Sequence, residues 1–498
     1  MDDSDGDRPR NPHHVALRRA TGLLLAAVPI LAVLGAVMTV NEFSCSSYPS
    51  LPICSKGMQA LVSVLPACGA AAGVLVCLVA GGLAVRHQRT PHPWIALALV
   101  PPVASVMVAF GLASTGVRSA DATTAADTRP APVPAAPRTR TWMWHAPEGL
   151  TVHEVVPAGA GVVVEVEDGV IALDGVTGRE RWRYRVAGAN VGLAAVTPDG
   201  DTLTLNIVPR ESGDEIRVLV LDATTGTVIL DKTGDPWSFV DSYSSRVLTD
   251  HVLVGVAEPV RAFDPRTGEP RWEYTPPAEC KVWDEQPPAM AGAGVVTVGM
   301  VCGPDKPPVR IPSNPEPVTV TVVGLDERTG QQRWQHTRDG VLVAKLVPAG
   351  DGSAVFLQCD GFGALLDPAT GATVLDAPGT DADRVIGATN EWLATTSGDT
   401  TTYTLTRPDS GPITLRLPGG FREAATATDA RVYALLANGD DDLTVITQPW
   451  TGADRSTVKV PRPDEQDTDL KEVEHDLVPA PGAIVIFKPD GTTVTGVG

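Results

Sequence analysis

The stretch Ala172–Val186, ALDGVTGRERWRYRV, decides how the rest of the chain is read. A short apolar run ends in Asp174, a turn closes on Thr177 and Gly178, and a second run carries Trp182. Asp and Thr hydrogen-bond backbone amides within their own turn, and Gly supplies the positive φ that reverses the chain. The unit is therefore a hairpin. Side chains alternate along a strand, so Tyr184 shares a face with Trp182.

The unit recurs. AFDPRTGEPRWEY places Asp264, Thr267, Gly268 and Trp272 at the same offsets, and GLDERTGQQRWQH repeats them with Asp326, Thr329, Gly330 and Trp334. LDATTG at 221–226 and LDPATG at 366–371 keep the turn without the tryptophan, while PDSG and PWTG end in Gly411 and Gly452. Successive turn glycines are 48, 42, 62, 41, 40 and 41 residues apart. Such a period is that of a four-stranded blade.

The spacing A-x-D-x-x-T-G-x-x-x-W resembles the tryptophan docking motif of the quinoprotein-type, or PQQ-like, β-propellers; Ala172–Trp182 and Ala262–Trp272 match it in full. A large flat side chain at a fixed site in each unit suits the docking of one sheet on the next. Trp182, Trp272 and Trp334 are expected to lie between blades. The last unit, AIVIFKPDGTTVTGVG, stops where a fourth strand should begin, and RTWMWHAP at 140–147 has the Trp-x-aromatic spacing of that strand in Trp142 and Trp144. The N-terminal strand is expected to complete the last blade, giving an all-β, eight-bladed propeller over 140–498, with seven blades as the alternative.

Three apolar, uncharged stretches precede it: Ala20–Val40, Met58–Val85 and Pro91–Val117. Each can span a hydrocarbon core about 30 Å thick at about 1.5 Å per residue, so 20–117 reads as three transmembrane α-helices after a cytoplasmic tail at 1–19. Arg18, Arg19, Arg86 and Arg89 put the N-terminus inside, which leaves the propeller extracytoplasmic on a multi-pass cell-membrane anchor. Residues 118–139, rich in Ala, Thr and Pro, cannot bury a core and read as an extended spacer. Usage of Ala, Gly, Pro, Val and Arg suits a GC-rich bacterial source.

Charge divides the chain. Residues 1–140 hold 11 Lys and Arg against 7 Asp and Glu, and the remainder 28 against 52. So acidic a propeller is no candidate for nonspecific nucleic-acid binding.

The 62-residue gap contains a Pro-rich insertion, Gly303–Val318, between the second and third strands of blade four. It should project from the face opposite the Asp-Thr-Gly turns, the face that commonly hosts ligands in propellers. Cys280 and Cys302 would tie its base with a disulfide, with Cys359 as the competing partner; Cys45 and Cys54 could close the first external loop. Asp440, Asp441 and Asp442 lie on the same face and could hold calcium, attract a basic peptide or simply form a solvated rim.

The resemblance also implies an alternative. Quinone-dependent dehydrogenases of this family hold pyrroloquinoline quinone and calcium over two adjacent, disulfide-joined cysteines, with an Asp as base. This chain has no adjacent cysteines, and no heme-attachment, zinc-protease or serine-nucleophile motif. His336 is read as the aromatic-position member of a docking strand rather than a base. The expectation is a noncatalytic binding, scaffold or sensor module for a protein, peptide or envelope ligand, without a cofactor; the alternative is a membrane-bound PQQ-dependent dehydrogenase.

Overall fold

The computed structural model describes residues 120–498 except 210–215, 235–245, 257, 283–288, 304–317, 342–343, 349–353, 360–361, 379, 381–384, 390, 397–401, 418–420, 438–441, 453 and 463–474. The tail at 1–19, the three expected spans within 20–117, and Cys45 with Cys54 lie outside the described residues. Among those described, no helix is long and apolar enough to cross a membrane.

Eight antiparallel sheets follow one another along the chain, which excludes the seven-bladed alternative. Blade one is built from β3 (Val152–Ala158), β4 (Gly161–Val166), β5 (Gly169–Asp174) and β6 (Glu180–Val186). Blade eight takes its first three strands from Asp476–Ala480, Ala483–Phe487 and Thr493–Val497. Its fourth is β2 (Arg140–His145), with Met143 opposite Thr495 and Trp144 opposite Val494. The ring is closed by the two ends of the domain.

The core is correspondingly divided. Val152, Val164 and Ile171 of blade one pack with Ala483, Val485 and Val494 of blade eight. Val254 and Ala262 of blade three pack with Val298 and Met300 of blade four. Each apolar layer lies between two neighbouring sheets, so the valine-rich second and third strands are buried on both faces. The first strands of blades six, seven, eight and one touch in succession and mark the inner wall.

Residues 121–139 belong to the propeller unit, whose boundary falls after Ala120. The segment expected to be a spacer is extended, as its composition dictates, but it is laid along the propeller. The strand β1 (Ala120–Ala122) adds to the outer edge of β6 as a fifth strand. Further on, Ala125 N–H donates to the Thr225 carbonyl of blade two at 2.9 Å, and Gly482 N–H of blade eight donates to the Pro132 carbonyl at 3.2 Å. Ser456 of blade seven donates to the Pro137 carbonyl. Poverty in apolar side chains rules out a core, yet leaves backbone groups free to pair with turns.

Candidate functional site

The repeated hairpin has the local chemistry expected of it. Asp174 Oδ1 accepts from Thr177 N–H at 2.9 Å and from the Thr177 hydroxyl at 2.8 Å. Gly178 N–H donates to the Asp174 carbonyl at 2.7 Å. At Asp264 burial pushes the carboxyl pKa up, but bonds from the Thr267 and Arg266 amides and from Arg271 prevail and hold it at about 2. The turn acid is thus an ionised cap rather than a reactive group.

Each tryptophan is bound by the turn of the next blade. Trp182 Nε1–H donates to the Ala223 carbonyl at 2.9 Å, Trp272 to Glu327 at 2.7 Å, Trp334 to Pro368 at 2.7 Å and Trp142 to Gly175 at 2.7 Å. The indole of Trp182 lies flat on Gly226, whose φ is +73° and where a Cβ would come within 2.7 Å of the ring. Gly330 receives Trp272, Gly371 receives Trp334 and Gly178 receives Trp142 in the same way. On its own sheet each tryptophan faces a small residue: Ala172, Ala262, Gly324 and Gly496. Trp182 is fully buried, whereas Trp272 is only half-buried. Asp326, Gly330 and Trp334 of blade four follow the same scheme, and His336 beyond them stacks on Phe362 of blade five at 6.4 Å. Burial, and then Arg338, lower the His336 pKa. These residues join neighbouring blades.

At the insertion-bearing face, Cys280 and Cys302 form a disulfide. Cys280 opens the short strand Cys280–Val282 and stands directly opposite Cys302 in the ladder. Gly303 N–H also donates to the Glu279 carbonyl at 2.9 Å. The first strand of blade four is split, because Ala289–Gly292 pairs further along the same neighbour. The N-terminal root of the insertion is thereby fixed, and Cys302 also stands opposite Thr319 at the start of the next strand; residues 304–317 lie outside the described residues. Cys359, the competing partner, is buried in blade five. Replacing Cys280 and Cys302 together by Ser should cost about 2 to 3 kcal/mol, because the bond closes a loop with a sequence separation of 22. Equal urea midpoints for the wild type and the double variant would remove that role.

Asp440 and Asp441 lie outside the described residues, and Asp442 begins the third strand of blade seven, paired with Pro461. Among the described residues no group of three His, Cys, Asp or Glu side chains is placed to hold a metal ion.

The inner wall carries acids that spacing alone did not single out. Glu154 on β3 stands opposite Glu165 on β4, and Asp476 begins the first strand of blade eight. Glu154 and Asp476 reach water at the axis although protein surrounds them on most sides. Desolvation raises all three pKa values, and Asp476 pushes Glu154 up further. Glu165, which accepts from Leu193 N–H of blade two at 2.8 Å, reaches about 7. Its only sequence signal is a lone acid within the valine run VVVEV. Calcium takes ionised oxygen donors, so a carboxyl held protonated by burial, as at Glu165, is a poor ligand for it. The chain offers no adjacent cysteines to lie beneath a quinone.

Glu165 makes a pH prediction. Its folded pKa exceeds the unfolded value of 4.5, so folding takes up a proton between about pH 4.5 and 7, and stability falls as pH rises through that window. Glu165→Gln should match the wild type at pH 4.5 and exceed it at pH 8 by about 2 kcal/mol, after allowance for water at the axis. Parallel stability curves from urea melts across that range would contradict the protonated carboxyl.

Two cavities open on the opposite face, among turns of blades two to four. One of about 290 Å³ is lined by Asp250, His251, Asp264, Arg266, Arg271 and Arg328. Arg328 donates to His251 Nε2 at 2.6 Å, and Asp264 binds Arg271. Several of the charged groups there are thus paired with one another.

A PQQ-repeat family model, described as outer membrane protein assembly factor BamB, matches residues 135–299. The PQQ-like character read from the repeats is shown over that stretch. No curated protein matches the chain. BamB from Moraxella catarrhalis is 15% identical, with 72% of this chain and 96% of that one covered and a TM-score of 0.42. The quinohemoprotein alcohol dehydrogenase ADHIIG from Pseudomonas putida HK5 is 12% identical, with coverages of 72% and 75% and a TM-score of 0.38. AztD from Citrobacter koseri is 12% identical, with coverages of 70% and 97% and a TM-score of 0.40.

Proposed function

We propose that this PQQ-like propeller is a noncatalytic recognition module, tethered to the cell membrane by its apolar N-terminal segments and facing the extracytoplasmic side, that binds a protein or peptide through its insertion-bearing face. The observation that carries this reading is the Cys280–Cys302 disulfide at the base of the 303–318 insertion. Blade closure needs no such staple, since every other described blade closes without one. A covalent tie at the root pre-organises the backbone from which the insertion departs, which lowers the cost of binding there. Disulfides also persist in oxidising compartments, which agrees with the side of the membrane that the Arg distribution selects. The family-model match over residues 135–299, described as an assembly factor, is in keeping with a binding role. The reading assigns no cofactor.

The test places a photo-crosslinking residue at Val309 or Ile311 in the insertion, and at Thr225 on the opposite face, in the full chain in cells. A single protein adduct from the insertion positions, absent at Thr225, is the expected result. A lack of adducts from the insertion, together with a rise in thermal midpoint when the purified chain is titrated with pyrroloquinoline quinone and calcium, would overturn the reading in favour of the dehydrogenase. A true cofactor site should add about 2.7 kcal/mol at a hundredfold excess over its dissociation constant.

A further inference from the structure

The outer edge of blade one differs from the outer edges of the other described blades in carrying an added strand, β1, that belongs to no hairpin. The attachment uses few groups. Thr123 N–H donates to the Arg183 carbonyl at 2.9 Å, and Arg183 N–H donates back to the Thr123 hydroxyl at 3.1 Å. The Arg183 guanidinium grips Asp121 with two bonds, at 2.8 and 3.2 Å, and Arg181 donates to the Ala126 carbonyl at 2.7 Å. Ala120, Asp121 and Ala122 bury no apolar side chain.

The edge itself is unusual for so acidic a domain. Arg181, Arg183 and Arg185 alternate along β6 on the face away from Trp182 and Tyr184. Arg185 is committed to the buried Asp168, and Arg181 lies within 3.7 Å of Asp174 in its own turn. Arg183 has only exposed Glu180 on its own sheet and otherwise reaches outward to the added strand. An exposed edge with unpaired backbone groups accepts an extended chain, and a carboxylate clamp beside it selects an acidic one.

We infer that the outer edge of blade one is a strand-addition site for an extended acidic peptide segment of a partner protein, and that residues 120–127 are its resident occupant, held in place until such a segment displaces them. Backbone bonds from β6 supply the register, and Arg183 reads a carboxylate at the position Asp121 fills. Arg181 donates to the incoming backbone where the Ala126 carbonyl now lies. This site is separate from the insertion-bearing face and does not depend on what binds there.

The test uses the full chain with its own segment loosened by Asp121→Asn together with Thr123→Pro, which remove the carboxylate and the donor N–H. The probe is a fluorescein-labelled peptide of residues 119–128, SADATTAADT, followed by anisotropy. The loosened chain should bind it at least tenfold more tightly than the wild type, binding should weaken as salt is raised, and Arg183→Ala added to the pair should abolish it. Hydrogen exchange should show the Arg183 amide losing protection in the loosened chain and regaining it with peptide. Absence of binding by a loosened chain that keeps the wild-type thermal midpoint would overturn the inference. So would a collapse of that midpoint, which would make the segment an integral strand, and so would equal binding of a peptide with both aspartates replaced by asparagine. A dimer of the loosened chain in light scattering would assign the edge to a second copy and overturn the partner.

Discussion

Trp182→Ala is expected to lower the unfolding free energy of the propeller by about 3 to 5 kcal/mol. The side chain is fully buried between blades one and two, and its loss leaves a cavity that rigid sheets on either side cannot close. The Ala223 carbonyl also loses its donor, which adds about 1 kcal/mol for a buried acceptor left unpaired. Trp272 makes the same bond, to Glu327, but is half-buried, so Trp272→Ala should cost less, about 2 kcal/mol. Denaturant melts of the two variants check both size and order. Midpoints equal to the parent, or Trp272→Ala as the more damaging change, would mean that docking does not depend on these rings.

Deleting residues 140–145 is expected to be more damaging than either change. Without β2, the strand Thr493–Val497, buried along its whole length, becomes an open edge at the seam. The deletion removes Trp142 from the layer that joins blade eight to blade one, together with its bond to the Gly175 carbonyl. The loss should be about 5 kcal/mol or more, and the exposed edge should recruit other chains. Urea denaturation and light scattering test the two halves of this expectation. A deleted chain that stays monomeric and keeps its midpoint would show that the seam is closed by other means. Trp142→Ala in the intact chain should lie between the parent and the deletion, since it keeps the backbone ladder.

The scaffold was legible because its information is local. Asp174, Thr177 and Gly178 bond within one turn, so a run of six residues states the hairpin, and its recurrence states the blade. The closure by β2 could be read because a Trp-x-aromatic strand lacking a turn at one end complements a blade lacking a strand at the other. What stayed hidden depends on a second element. Gly226 is needed for its positive φ, but also because the ring of Trp182 occupies the place of a side chain, and only the neighbouring blade supplies that ring. The Ala of the A-x-D motif similarly makes room for a tryptophan across the sheet. Residues 118–139 read as a spacer because composition reports buried side chains and is silent on backbone pairing. Glu165 looked like one acid among many, since its raised pKa comes first from burial, which exists only once the propeller is assembled. The candidate ligand face was legible as far as its cysteines and the position of its insertion.

The seam has a consequence for how the protein is made. Thr141 and Gly496, joined by a hydrogen bond in the finished ring, are 355 residues apart in sequence. At about 5 to 20 residues per second, a ribosome needs roughly 20 to 70 seconds to deliver the second after the first. Throughout that interval Trp142 and Trp144 belong to a strand whose sheet does not yet exist, while blades one to seven can already stack beside it. A nascent propeller therefore carries an aromatic, unpaired strand at its leading end until synthesis is almost over, and that strand is where a chaperone has the most to protect.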